Sequence, residues 1–377
     1  MNVLTGDNLK SLIEKQEGLC VSLFMPTHRK GTETQQNQIR YRNLLRKAEE
    51  KLLDSDLRPQ EIREFLRPAQ ELVGDVPFWQ NQSDGLALYV SPFSFNYFRL
   101  PITFEELVIV TDRFHLKPII PAATADMEFF ILAVNQRDVR LIKGFRHSAE
   151  EVDLENAPES VADFFRSELL EKEFQYHTRR HPAAFQGAGG KTEDPKDDIL
   201  RYFKQVDKGI KMILKGSHAP LVFAGVDYLY PIYKEANTYP HLIDKAISGS
   251  PEGLTLEELH EQAWPLVEPV FEKEKEEAIR LYKELSGTGR ASSDINQIVP
   301  AACHGRIDTL FVAVGVQKWG WYNTSTDNVT VQKDATLNST DLLDFAAIRT
   351  MLNGGTVYAV TPDEVPDATA MVAIFRY

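Results

Sequence analysis

A chain of 377 residues with 43% hydrophobic and 26% charged side chains is long enough for two or three domains with real cores, and its composition is that of an ordinary globular protein. Its 42 Lys and Arg against 55 Asp and Glu give a net charge of −13, which excludes coating of nucleic acid through broad positive potential and leaves room only for a localised contact. Cys20 and Cys303 lie too far apart in sequence to suggest a disulfide framework or a zinc site, the N-terminus has no signal-peptide pattern, and no stretch approaches about 18 uninterrupted apolar residues; a cytoplasmic protein with no membrane, DNA or cofactor is expected.

The chain opens as an α/β segment. Leu19-Cys-Val-Ser-Leu-Phe-Met25 is a strand-length apolar run ended by Pro26. Residues 36–53 turn helical through Ile39, Leu44, Leu45, Ala48 and Leu52, and a second helix follows around 61–73. Strands are expected at Gly85–Val90, Asn96–Leu100 and Glu106–Val110, with a junction near Pro118 to Ala125. A first domain of residues 1–124 results. The next domain, 125–290, begins with a hairpin, Phe129–Val134 and Val139–Ile142 flanking the turn residues Asn135 to Asp138. A helix is expected at Ser160 to Leu170.

Residues 177–192 then form a stretch too rich in glycine and charge to pack, including His177, Arg179, Arg180, His181, Gly187, Gly189, Gly190 and Lys191. From Asp197 a helix follows, with Asp194, Pro195 and two first-turn acids at its start. Ile199, Phe203, Val206, Ile210 and Ile213 recur at three- and four-residue steps and stack on one side. Arg201, Lys204, Lys208, Lys211 and Lys215 keep the same spacing on the opposite side. Such a charge run often marks a solvated face. Between Lys172 and Lys215, however, ten Lys and Arg stand against six Asp and Glu, the reverse of the balance in the whole chain. A locally basic helix on an acidic protein is a candidate phosphate-facing surface.

Ala219–Gly225 reads as a buried strand, Thr255-Leu-Glu-Glu258 has capping-box form, and a long helix is expected to Leu285, kinked or divided by Pro265 and Pro269. Ser286 to Ser293 reads as a flexible linker. The third domain, 291–377, alternates again: a helix at Ile295–Ala302, a strand at Thr309–Val314, a helix at Thr340–Leu352 closed by Asn353-Gly354-Gly355, and strands at Thr356–Val360 and Ala370–Phe375. That order is a small α/β/α sandwich, so the fold class is α/β (α+β) in three successive domains.

Rival motifs weigh less. Gly190-Lys191-Thr192 ends like a P-loop, but the first glycine of that motif falls on Phe185. His177 and His181 stand four apart with no glutamate between them to act as a base, and no metal site is assigned to them. Asp126, Glu128 and Asp227, at strand ends, could gather metals for a nuclease, although strand-end acids are common turn residues. The cluster Trp319-Gly-Trp321-Tyr322 could stack on bases, but such clusters more often pack in a core.

Three α/β domains, a glycine-rich loop leading into a basic helix in the second, and a third ending Gly354-Gly355-Thr-Val-Tyr-Ala-Val360 and Ala373-Ile-Phe-Arg-Tyr377 resemble the bacterial relatives of the archaeo-eukaryotic peptide-chain release factors and Pelota. Phe78-Trp79, Ser83-Asp-Gly-Leu-Ala-Leu-Tyr89 and Phe114-His-Leu-Lys-Pro118 are similar to stretches of the bacterial branch. The resemblance implies a ribonuclease-H-like middle domain, a C-terminal domain like kink-turn-binding ribosomal proteins, and a ribosome-associated role in rescue, peptide release or dormancy at the A site and peptidyl-transferase region. It implies rRNA and P-site tRNA as partners, with a translational GTPase as a further candidate. The loop that carries Gly-Gly-Gln in the family corresponds here to Gly189, Gly190 and Lys191, with lysine in place of glutamine. Glycines let the backbone approach a crowded site, and a backbone N–H there can stabilise an oxyanion whatever the side chain. The catalytic candidates for a peptidyl-tRNA ester hydrolase are thus Gly189, Gly190 and Lys191; the RNA-binding candidates are Arg179, Arg180, Arg201, Lys204, Lys208, Lys211 and Lys215. The first domain shows no stop-codon-reading motif, which argues against termination proper. A metal-dependent nuclease or phosphodiesterase using middle-domain carboxylates, and a non-catalytic protein-interaction module, stand as alternatives.

Overall fold

The computed structural model describes residues 6–14, 18–29, 33–123, 127–135, 138–146, 148–154 and 195–377. They form a mixed α/β protein with several sheets, divided into two compact units: Met1–Asp126 together with Lys275–Tyr377, and Met127–Glu274.

The first unit starts with an antiparallel sheet of strands β1 (Cys20–Pro26), β2 (Gly85–Ser91), β3 (Ser94–Leu100) and β4 (Leu107–Thr111), in the order β3-β2-β1-β4. Leu23 sits opposite Leu88 on one side and Val108 on the other. Val21, Leu23 and Met25 point to the helices Thr34–Leu52 and Pro59–Glu71, while Cys20 and Phe24 point to Phe114, Leu116 and Ile119. Both faces are covered, which explains why β1 is apolar on both sides, apart from the buried Ser22, and does not alternate. Residues 118–120, the start of the stretch read from sequence as a junction near Pro118 to Ala125, are buried.

The second unit carries β5 (Phe129–Val134), β6 (Val139–Gly144), β7 (Ala149–Val152), β8 (Leu221–Gly225) and β9 (Ile247–Ser248), ordered β7-β6-β5-β8-β9. The first three strands pair antiparallel; β5 with β8 and β8 with β9 pair parallel. Phe130, Leu132 and Val134 pack beneath the helices Pro195–Ile213 and Leu229–Ala236, and Phe129, Ile131 and Ala133 beneath Leu259, Ala263, Val267 and Phe271 of the helix Leu256–Leu285. That helix opens with the expected capping box: the Thr255 N–H donates to Glu258 Oε2 at 2.9 Å, and the Glu258 N–H to Thr255 Oγ1 at 3.2 Å. It runs as one 30-residue element through Pro265 and Pro269 and is not divided there. The helix expected at 160–170 lies outside the described residues.

The rest of the first unit carries β10 (Ala291–Ser292), β11 (Ile307–Ala313), β12 (Trp319–Asn323), β13 (Asn328–Val331), β14 (Thr340–Asp341), β15 (Thr356–Val360) and β16 (Met371–Phe375). One sheet has the order β10-β16-β11-β15, with β11 and β15 parallel. Its faces are covered by the helices Ile295–Cys303 and Leu342–Leu352 on one side and by Ile279, Tyr282 and Leu285 on the other, so the second helical layer comes from the long helix Leu256–Leu285, outside the 291–377 stretch in which the sequence reading placed the sandwich. Ala291 and Ser292, read as linker, pair with Ile374 and Ala373 instead. A second, three-stranded antiparallel sheet, β13-β12-β14, was not legible in the sequence.

Candidate nucleic-acid interface

The helix Pro195–Ile213 is built as its sequence period dictates. Tyr202, Phe203, Val206, Ile210 and Leu214 are at most 2% exposed, and Ile199 packs against the same cluster. Ile213 departs from expectation: it is 37% exposed, and the buried stripe closes on Leu214, just beyond the last helical residue. At 100° per residue position 213 still falls between Tyr202 and Val206 on the buried side, but it is the last residue of the helix, where the chain turns away.

On the other side Lys204, Lys208 and Lys211 are exposed, and Lys215 continues the row in the turn that follows. At about 1.5 Å per residue the row spans roughly 16 Å. Among the described residues, none of the ion pairs involves these four lysines, whereas Arg201 pairs with Asp198 one turn earlier. Lys211 and Lys215 lie at the C-terminal end of the helix, where its dipole favours cations. Gly216 follows with φ of +81°, a conformation suited to glycine that lets the chain leave the helix sharply.

Asp207 is 4% exposed on this helix, and its carboxylate accepts hydrogen bonds from the Thr238 N–H at 2.9 Å and the Thr238 hydroxyl at 2.7 Å. These bonds fix the loop after Leu229–Ala236 against the helix and hold the lysine row in one orientation on its unit. Burial, with Asp207 nearby, pushes the Tyr233 phenol well above its ordinary range, so it stays neutral.

The remaining candidates do not assemble with this face in the described residues. Arg179, Arg180, Gly189, Gly190 and Lys191 lie outside the described residues, as do His177, His181 and Asp126. Glu128 is engaged by Lys143 at 2.8 Å, and Asp227 is exposed in a turn. Among the described residues no group of three or more His, Cys, Asp or Glu is placed to hold a metal ion. Trp321 is 49% exposed on β12, while Tyr322 packs against Phe345 and donates its hydroxyl to Asp327. A cavity of about 240 Å³ is lined by Asn135, Asp138, Arg140 and Glu252, but Arg140 is already committed to Glu151 and to the Leu254 carbonyl.

Sequence reasoning missed a buried polar cluster in the first unit. Lys117, 0% exposed, donates through Nζ to Asp341 Oδ2 at 2.7 Å and to the Val316 carbonyl. The Leu116 N–H donates to Asp344 Oδ1 at 2.7 Å, the Lys117 N–H reaches the same oxygen, and His115 Nδ1 lies 3.5 Å from it. Asp341 also caps the helix Leu342–Leu352 through the Leu343 N–H. Burial lowers the affinity of His115 for a proton, against the pull of Asp344 and Asp341, and raises the Asp344 carboxyl above its ordinary range. The local signal was an acid before the apolar run at 342, a capping pattern; nothing local pointed to its partner at 117.

No curated protein matches the sequence. Among solved structures, an archaeal translation termination factor, aRF1, is 15% identical with a TM-score of 0.25, covering 99% of each chain. A ribosome-bound archaeal Pelota with ABCE1 is 11% identical with a TM-score of 0.42, covering all of this chain and 95% of that one. Pelota of Archaeoglobus fulgidus is 13% identical with a TM-score of 0.26, covering 78% and 79%. Likeness at this level carries no functional argument. Residues 128–306, which include the five-stranded sheet and the basic helix, match the model of bacterial archaeo-eukaryotic release factor family 3. Over residues 128–306, a little under half of its length, the chain is thus similar to bacterial archaeo-eukaryotic release factor family 3.

Proposed function

We propose that this protein is a cytoplasmic, ribosome-associated factor that enters the A-site and peptidyl-transferase region in rescue, peptide release or dormancy. The observation that carries the proposal is the row Lys204, Lys208, Lys211 and Lys215, exposed opposite a fully buried face within the family-matched stretch. A concentrated row on a protein of net charge −13 suits contact with rRNA phosphates at one place. Arg179 and Arg180 extend the basic surface in this reading, and Gly189, Gly190 and Lys191 stand next to the end of the P-site tRNA. Their backbone N–H groups then act on the ester between peptide and tRNA, with Lys191 where the family has glutamine. A translational GTPase is the candidate for delivery. Three modules, 1–124, 125–290 and 291–377, serve this role. The order β7-β6-β5-β8-β9, with three antiparallel strands followed by two parallel ones, supports a ribonuclease-H-like middle module. The α/β/α arrangement supports a C-terminal module like kink-turn-binding ribosomal proteins.

The test is sedimentation of purified protein with ribosomes at low and high salt. Changing Arg201, Lys204, Lys208 and Lys211 together to alanine is expected to abolish association at moderate salt and to lower the slope of log K against log salt by roughly one per lost phosphate contact. Unchanged co-sedimentation refutes the RNA-facing helix. Peptidyl-tRNA hydrolysis in the bound fraction, for wild type and for Gly189→Ala/Gly190→Ala, separates release from occupancy: loop-dependent hydrolysis defines an enzyme, and binding without hydrolysis defines an occupancy factor.

A further inference from the structure

Beyond the lysine row, in the same unit, two histidines face each other. His218 Nδ1 and His241 Nε2 are 3.2 Å apart, with ring centroids 5.2 Å apart and ring planes at 81°. His218 lies in the connection between the basic helix and β8, and His241 in the segment leading to β9.

The two segments are locked together by backbone bonds. The Leu221 N–H donates to the His241 carbonyl at 2.9 Å, and the Ile243 N–H donates to the Leu221 carbonyl at 2.8 Å. Tyr239 packs edge-on against His241, and its hydroxyl donates to the Ala219 carbonyl at 2.7 Å. Thr238 is held by Asp207, and Tyr230 donates to the Ile243 carbonyl at 2.7 Å. The imidazoles therefore stand on a frame fixed before any ligand arrives.

The geometry points to a site for a divalent first-row transition ion, of which Zn²⁺ is the reference, held by His218 Nδ1 and His241 Nε2. With Zn–N bonds of about 2.0–2.1 Å and tetrahedral angles, two ligating nitrogens lie about 3.3 Å apart and their ring centroids about 5.2 Å apart. A straight N–H···N hydrogen bond of this length puts the centroids about 5.5 Å apart, so the observed pair is bent in the sense that a bridging ion requires. Imidazole nitrogens are the borderline donors that suit Zn²⁺, Ni²⁺ and Cu²⁺. Pre-set ligands also avoid the entropic cost of ordering two side chains on binding. Two protein ligands are one fewer than an open catalytic zinc site has, and they leave the remaining positions to water or to an external oxygen donor such as a phosphate. The inference is independent of the ribosomal reading.

The experiment is isothermal titration of untagged full-length protein with Zn²⁺ at neutral pH, in wild type, His218→Ala, His241→Ala and the double variant His177→Ala/His181→Ala. One saturable equivalent is expected in wild type and in the 177/181 variant, weakened about tenfold or more in each of the other two. His218 is exposed and His241 half-buried at the surface, so the alanine variants should fold, and circular dichroism of each variant verifies this. Zn²⁺ affinity unchanged in His218→Ala and His241→Ala, or no saturable binding in wild type, overturns the site and leaves a plain histidine–histidine hydrogen bond.

Discussion

Lys117 and its carboxylates show what a single buried charge demands. An ammonium with no exposed surface is tolerable only because Asp341 and the Val316 carbonyl surround it. Asp341→Ala removes the counter-charge and the helix cap together and is expected to cost about 3–5 kcal/mol of unfolding free energy, read as a lower urea midpoint. Adding Lys117→Met should recover much of that loss, since no uncompensated charge then remains. His115 brings a pH dependence to the same place. Its proton affinity is depressed in the folded chain, so its contribution is present above the ordinary value near 6.5 and is lost as the pH falls through the lower, folded value. The Asp344 carboxyl is raised, so its contribution is full below the ordinary carboxylate range and is lost as the pH rises through the folded value. Between pH 7.5 and 5.5 the histidine effect is thus expected to lower the urea midpoint in wild type, and His115→Gln to flatten that decline. The Phe114-His-Leu-Lys-Pro118 stretch and the helix at Thr340–Leu352 were visible in the sequence, but the pairing of Lys117 with Asp341 was not. A capping acid announces itself by position, whereas a partner more than 200 residues away leaves no periodic trace.

For whole elements, legibility followed periodicity. The helix Pro195–Ile213 and its basic row were readable because one 3.6-residue rhythm sets both faces. Its limits were less readable, as Ile213 and Leu214 show, because the chain leaves the helix there. Asp207 escaped notice because its partner Thr238 belongs to a later loop. The hairpin of β12 and β13 escaped because Trp319, Trp321 and Tyr322 read as an aromatic cluster, with neither face continuously apolar. The two faces of the basic helix should separate cleanly in experiment. Phe203→Ala, in the core, is expected to cost about 3–5 kcal/mol. Lys208→Ala, on the exposed row, should stay within about 0.5 kcal/mol of wild type by thermal or urea unfolding. A large destabilisation from Lys208→Ala would give that lysine a structural role and weaken the case for a ligand-facing row.

At the scale of the molecule, the sequence conveyed the alternation of strands and helices and the family likeness matched over residues 128–306, because both are written in local order. It did not convey that residues 1–126 and 275–377 build one unit, since that depends on contacts across an inserted unit of 127–274. The Lys117–Asp341 pair makes this discontinuity a matter of timing. As the chain is synthesised, residues 1–126 emerge first, yet the carboxylates that neutralise Lys117 and bond His115 and Leu116 are made more than 200 residues later. The inserted unit 127–274 has all its strands before then and can fold while the first segment is still incomplete. The order of birth and the order of completion are therefore inverted: the first-made segment closes last, when Asp341 and Asp344 emerge to meet it.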